Sequence, residues 1–149
     1  MRRHELGAQD DAFLAEVADR AVEGYLALIT PDGPRAVALN FALAEGAVWF
    51  HGALDGEKYE ALRHGASVGF TMTVPYSLIP SHWSAPAHAC PATHFFKSVE
   101  ARGRCNPVDD PAQKAVGLQA LMEKYQPRGG YTPISADLKM YRGALENVG

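Results

Sequence analysis

The chain has 149 residues, of which 47% are hydrophobic and 21% are charged, and its formal net charge is -3. These values are typical of a single globular domain with a buried core, and they exclude a collagen-like or disordered chain. A slightly acidic chain has no general attraction for nucleic acid or for an anionic membrane, so we expect neither as a partner. Two cysteines are too few for a disulfide framework, and the N-terminus lacks an apolar signal segment, so we expect one cytoplasmic domain over 1–149.

The first half of the chain combines one helix with a run of strands. Apolar residues recur at helical spacing across 10–23, where Asp10 or Asp11 can cap the first turn. Short apolar runs separated by turn residues then predict an antiparallel meander. Its strands are predicted at 25–30, 35–43 and 47–51, followed by a short helix at 57–64 and a strand at 67–74.

The second half begins with a long segment rich in proline, serine and histidine, over 75–92. A loop of that length inside a compact domain is usually functional. Strand character returns over 93–105. The sequence Asp110-Pro-Ala-Gln113 then matches a capped helix start and predicts a helix that ends near Tyr125. A last short helix is predicted near 136–144, and the fold class is α+β.

Three short segments, spaced along the chain, carry a resemblance to a known family. They are Arg35-Ala-Val-Ala-Leu-Asn40, then Trp49-Phe-His-Gly-Ala53 with Gly56-Glu-Lys58, then Phe96-Lys-Ser-Val99 with Gly103. With the order of the elements, they resemble the FMN-binding split barrel of the pyridoxamine 5'-phosphate oxidase-like family over roughly 10–145. The stretches 75–80 and 90–93 are similar to the subfamily of nitroimidazole-resistance proteins.

The resemblance implies an antiparallel split β-barrel with flanking helices, an FMN cofactor bound between the subunits of a homodimer, and reduction of a small-molecule substrate. It implies cofactor contacts from Arg35, Val37, Ala38, Leu39, Asn40, His51, Gly52, Ala53, Lys58 and Ser98. Lys58 and the helix start beside it suit a phosphate dianion, which binds cations and backbone N–H groups. No catalytic acid or base can be named from the sequence.

Three features depart from the family's pattern. Glu57 stands beside Lys58 where relatives often carry a basic residue, so its carboxylate opposes a phosphate. Asn40 stands where the oxidase proper has a substrate-binding lysine, so we do not expect the pyridoxamine phosphate reaction. Relatives usually continue into a closing strand, which we do not expect in this chain.

Other hypotheses stay open beside the FMN-dependent reductase. The protein could bind flavin or haem without turnover, as a carrier, sensor or sequestering protein, or it could use the deazaflavin F420. Four side chains between 82 and 94 carry ligand atoms for zinc or haem iron, but their spacing matches no known site, so no metal is predicted. They are His82, His88, Cys90 and His94.

Overall fold

A computed structural model of the chain describes Gly7, residues 10–137 and residues 144–149. Within these residues the chain forms three α-helices, seven strands and one short 3-10 turn. The helices are α1 (Asp11–Arg20), α2 (Gly56–Leu62) and α3 (Pro111–Tyr125), and the 3-10 turn is Ser81–Trp83. The strands are β1 (Gly24–Thr30), β2 (Gly33–Leu39), β3 (Ala42–Ala44), β4 (Ala47–Gly52), β5 (Ala66–Ile79), β6 (Thr93–Pro107) and β7 (Ala144–Val148).

The seven strands form one antiparallel sheet in the order β2-β1-β5-β6-β7-β4-β3. β2 and β3 lie at opposite edges of this sheet, although only Asn40 and Phe41 separate them in the chain. Because three backbone steps span at most about 11 Å, the sheet has to curl until its two edges come close together. The result is a barrel that is split between β2 and β3, which confirms the predicted fold class.

The prediction of a single strand over 35–43 within a simple meander is wrong. β2 ends at Leu39 and β3 begins at Ala42, because Asn40 and Phe41 leave the ladder. Phe41 buries its side chain completely, and its backbone N–H donates a hydrogen bond of 2.9 Å to the hydroxyl of Tyr125. β4 then pairs with β3 and β7 instead of with β2.

The predicted irregular stretch over 75–92 is shorter than the sequence suggested. β5 runs on to Ile79 and pairs with the start of β6, with a shift of register between Pro75 and Ser77. Proline is tolerated where the ladder is irregular because it has no N–H to donate. The connecting loop proper therefore covers only residues 80–92.

A closing strand is present, contrary to the expectation from the sequence. β7 lies between β4 and β6 and joins the two halves of the sheet, with Glu146 opposite Phe50 of β4. The final helix predicted near 136–144 falls mostly on residues 138–143, which lie outside the described residues. Ala144 itself belongs to β7.

The two longer helices begin at the side-chain caps that the sequence predicted. Asp10 accepts a hydrogen bond of 2.6 Å from the N–H of Phe13, and Asp110 accepts one of 3.1 Å from the N–H of Gln113. Each bond satisfies an N–H group that has no partner within the helix. Among the described residues, no helix is both long enough and apolar enough to cross a membrane.

Three phenylalanine rings fill the interior of the barrel. The rings of Phe41 and Phe50 both pack near that of Phe70, with centroids 5.2 Å and 6.4 Å from its own, and all three are fully buried. β4 is also covered on its other face, where Trp49 packs in one cluster with Leu121 of α3. This double burial holds the end of β4 in place beside β7 and the start of α2.

Candidate cofactor site

Two ion pairs bring two of the segments that carry the family resemblance together with β7 at one corner of the barrel. Arg35 of β2 pairs with Glu57 in the first turn of α2. Lys58, the next residue of α2, pairs with Glu146 of β7 at 3.2 Å. We call Arg35, Gly52, Glu57, Lys58 and Glu146 the charged corner. It joins the start of β2, the end of β4 and the start of α2, where most of the cofactor contacts were predicted.

Two glycines shape this arrangement. A Cβ at position 52 would lie 2.5 Å from the Nζ of Lys58, so any side chain there would make the ammonium group shift from its place over the end of β4. Gly56 has a φ of 87°, in the left-handed region that other residues rarely adopt. It turns the chain from the loop after β4 into α2.

Lys58 points towards the interior of the barrel. Its ammonium group lies 5.5 Å from the centre of the Phe50 ring, and the side chain of its partner Glu146 is only 1% exposed. Burial raises the pKa of the Glu146 carboxyl, while the charge and the hydrogen bond of Lys58 oppose that rise. The second oxygen, Oε2, has no hydrogen-bond partner in the described part of the chain. Lys58 is therefore the principal compensation for this buried charge.

The thiol of Cys105 lies within electrostatic reach of the same pair. Its side chain is fully buried, and burial, reinforced by the negative charge of Glu146, raises its pKa to about 12. A thiol of this kind stays protonated at neutral pH and is a poor nucleophile. The other cysteine, Cys90, is exposed in the loop over 80–92.

β2 offers an open edge beside the charged corner. Among the described strands it pairs only with β1, so alternate N–H and C=O groups along its other edge have no partner strand. The predicted contact residues Val37 and Leu39 are half-buried, whereas Ala38 and Asn40 are exposed. Such an edge can donate and accept hydrogen bonds along the rim of a flat heteroaromatic ring.

The outer face of β1, β2, β5 and β6 carries an open groove of about 820 Å³. We call it the outer groove. Most of its lining is small or apolar, with two arginines among the lining residues; these include Ala27, Ile29, Ala36, Gly69, Arg35 and Arg102. Ile29 is 72% exposed. Because Arg35 belongs to both features, the outer groove and the charged corner are continuous.

The remaining predicted contact residues divide between the corner and the far side of the sheet. His51 and Ala53 are exposed on either side of Gly52, at the end of β4. Ser98 lies on β6 opposite Thr73. β6 is three strands away from β2, which corresponds to about 14 Å across a sheet. Ser98 is therefore not part of the charged corner of its own chain.

Glu146 is the residue of this site that the sequence did not reveal. It is separated from Lys58 by 88 residues, and no local pattern marks it as the partner of a lysine. The loop histidines and Cys90 do not form a metal site either. Across residues 10–137 and 144–149, no three histidine, cysteine or acidic side chains come together in a way that could hold a metal ion.

Residues 10–147 match the protein-family model described as pyridoxamine 5'-phosphate oxidase. The chain belongs to this family. The match spans nearly the whole chain and confirms the resemblance seen in the sequence. No curated protein sequence matches the chain.

Solved structures share the split-barrel fold with this family member. The flavocytochrome Anf3 from Azotobacter vinelandii is 20% identical, with a TM-score of 0.80 over 100% of this chain and 67% of that one. An FAD and heme binding protein from Mycobacterium smegmatis is 17% identical, with a TM-score of 0.80 over 95% and 67%. A putative 5-nitroimidazole antibiotic resistance protein from Bacteroides thetaiotaomicron VPI-5482 is 18% identical, with a TM-score of 0.71 over 95% and 80%. At these identities the likeness shows the fold alone.

Proposed function

We propose that the protein binds a flavin, FMN in the first instance, and acts as a flavin-dependent reductase of a small molecule. The observation that carries this proposal is the meeting of Arg35, Gly52 and Lys58, from three separate segments, beside the open edge of β2. The family to which the chain belongs supports it. Two structures of the same fold are named for a flavin, as a flavocytochrome and as an FAD and heme binding protein.

The flavin ring is the part of the ligand that this site fits best. The free edge of β2 over 37–40 presents backbone donors and acceptors, and the outer groove presents apolar atoms for the ring plane. A planar ligand with one polar rim suits such a combination of surfaces. A bound flavin supplies the redox chemistry, and the chain's own residues bind it, orient it and limit the access of water.

The phosphate of FMN fits the charged corner less well. Arg35 is already paired with Glu57, and Lys58 is already paired with Glu146. A phosphate would have to replace a carboxylate at either cation. The proposed function therefore rests on the ring and not on any phosphate contact.

We also propose a homodimer whose subunits meet across the outer groove. Apart from Arg35 and Arg102, the residues that line this groove are small or apolar, and apolar area of this kind is stabilised when a second surface covers it. Ser98, exposed on β6, is separated from the charged corner of its own subunit. In a dimer built through this face, it would be available to the cofactor site of the partner.

One observation favours binding without turnover as a second candidate. The acids and bases of the charged corner neutralise each other, so within the described residues this corner offers no free proton donor to a substrate. A carrier, sensor or sequestering protein needs only the ring-binding surfaces. The same surfaces could take haem or F420 in place of FMN.

The test is a titration of the purified protein with FMN, F420 and haem in separate experiments. We expect FMN fluorescence to be quenched at one flavin per subunit, and light scattering to give twice the mass of one chain. A colourless protein that quenches no FMN fluorescence contradicts flavin binding. Reduced complex that a nitroaromatic or quinone reoxidises faster than it reoxidises free reduced FMN supports a reductase, whereas an equal or slower rate supports a binding protein.

A further inference from the structure

We propose that this site does not select its flavin by the phosphate, because Glu57 and Glu146 already neutralise the two cations that a phosphate would need. FMN and riboflavin should therefore bind with similar affinity. This inference rests on the proposed flavin binding and names the part of the ligand that the site recognises.

Acidic side chains balance the lysine and arginine side chains at the end of β4 and along α2. Arg35 and Lys58 are paired as described, and Arg63 pairs with Glu60 at 2.9 Å. Asp55 adds a further exposed carboxylate just before α2. Histidines aside, the region therefore carries three basic and four acidic side chains. A dianion gains no net attraction from such a surface.

The burial of Glu146 also opposes a phosphate at Lys58. If Lys58 turned outwards to contact a phosphate, the Glu146 carboxylate, which is only 1% exposed, would lose the one hydrogen-bonded partner that the described residues give it. Removing one member of a buried ion pair is strongly unfavourable, since the other charge stays buried and uncompensated. That penalty opposes whatever attraction the phosphate provides. The main role of Lys58 is therefore to neutralise Glu146 inside the barrel, and not to bind an external ligand.

Arg35 is the more accessible of the two cations. The side chains of Arg35 and Glu57 are 49% and 32% exposed, so a phosphate could compete for this guanidinium more easily than for Lys58. Glu57 would still lie next to the incoming dianion and repel it. The affinity that a phosphate gains from Arg35 is therefore reduced by its repulsion from Glu57.

Apart from Arg102 of β6, three strands away from β2, the surfaces that remain for the ligand are uncharged. They are the backbone edge of β2 and the small and apolar side chains of the outer groove. Both recognise the ring system and neither recognises a dianion. The ligand class that fits is thus a flavin recognised by its isoalloxazine ring, with or without a phosphate on its ribityl chain.

Dissociation constants for riboflavin and FMN, measured by quenching of flavin fluorescence, test the inference. In the unmodified protein we expect the two values to agree within about threefold, because one free cation–phosphate contact alone would separate them by about tenfold or more. Glu57→Gln should free Arg35, and Glu146→Gln should free Lys58. Each should improve FMN binding relative to riboflavin by about tenfold. Glu123→Gln, at an exposed carboxylate of α3 outside the charged corner and the outer groove, is the matched control and should leave the ratio unchanged.

The possible results separate the inference from the proposed function. A preference of the unmodified protein for FMN of tenfold or more, or no change of the ratio in Glu57→Gln, overturns the inference and leaves flavin binding intact. If the unmodified protein binds neither flavin, the proposed function fails, and the double variant Glu57→Gln/Glu146→Gln decides the inference. If that variant binds FMN, the two carboxylates prevent phosphate binding in the unmodified protein, as the inference states. If it also fails to bind FMN, the inference is overturned. Thermal unfolding shows whether Glu146→Gln is folded. If Glu146→Gln is unfolded, the surface variant Glu57→Gln still decides the test.

Discussion

In the charged corner every basic group already has an acidic partner from the same chain, whereas the adjoining outer groove leaves Ile29 72% exposed among small apolar neighbours. The two regions share Arg35 and lie on one continuous surface. Pairs formed within the chain contribute to folding and leave little for a ligand. Apolar surface that the chain does not cover is still available for binding. We therefore expect the charged corner to contribute mainly to the stability of the fold and the outer groove to contribute mainly to ligand affinity.

The largest expected effect is the loss of stability in Lys58→Met. This change leaves Glu146 buried and unpaired, so we expect the free energy of unfolding to fall by about 3–5 kcal/mol. Urea denaturation measures the change. Lys58→Met/Glu146→Met removes both charges and should recover most of the loss. An unfolding midpoint of Lys58→Met equal to that of the unmodified protein would show that the pair does not stabilise the corner.

The pH dependence of stability gives the next largest effect, through Cys105. Its pKa is raised from 9.0 to about 12 in the folded state, so the unfolded chain releases the thiol proton first. Stability should therefore fall as the pH rises from about 9 to about 12, and this part of the fall should be absent in Cys105→Val. Cys90→Val, at the exposed cysteine, is the matched control. Identical pH profiles for Cys105→Val and Cys90→Val would contradict the buried, neutral thiol.

The same contrast separates what the sequence could predict from what it could not. The caps at Asp10 and Asp110 were predictable because donor and acceptor lie three residues apart in the chain. The break between β2 and β3 was not, because the hydroxyl that removes the N–H of Phe41 from the ladder belongs to Tyr125, 84 residues further on. The spacing of nearby residues predicts where helices start and how strand residues alternate. It does not predict which side chain from a distant part of the sequence will contact a given residue.

The candidate site follows this rule residue by residue. The family resemblance pointed to Arg35, Gly52 and Lys58, and the structure brings them together at one corner. It could not show that Lys58 faces Glu146, since β7 was not predicted and a glutamate in a strand is usually exposed. The role of Gly52 also became clear only in three dimensions, where the ammonium group occupies the space of its missing Cβ.

Ile29→Glu tests the groove side of the comparison. A carboxylate in the middle of this exposed apolar surface should weaken flavin binding by about tenfold, or about 1.4 kcal/mol, and should shift the protein from dimer to monomer. Fluorescence titration and light scattering measure the two effects. Val22→Glu, at a residue 69% exposed but outside the groove, should change neither. Equal effects of both variants would mean that added charge, and not its place in the groove, weakens binding.

The smallest expected change in stability is that of Glu57→Gln. Its partner Arg35 is about half exposed, and exposed ion pairs contribute about 0–1 kcal/mol, so unfolding should change by less than that and the change should shrink further in high salt. The same variant is expected to improve the relative binding of FMN. If Glu57→Gln changes ligand choice with little effect on folding, then the inner pair Lys58–Glu146 serves stability and the outer pair Arg35–Glu57 serves selectivity. A loss as large as that of Lys58→Met would instead show that the two pairs act as one coupled network, and Arg35 would then be needed for folding before it could serve any ligand.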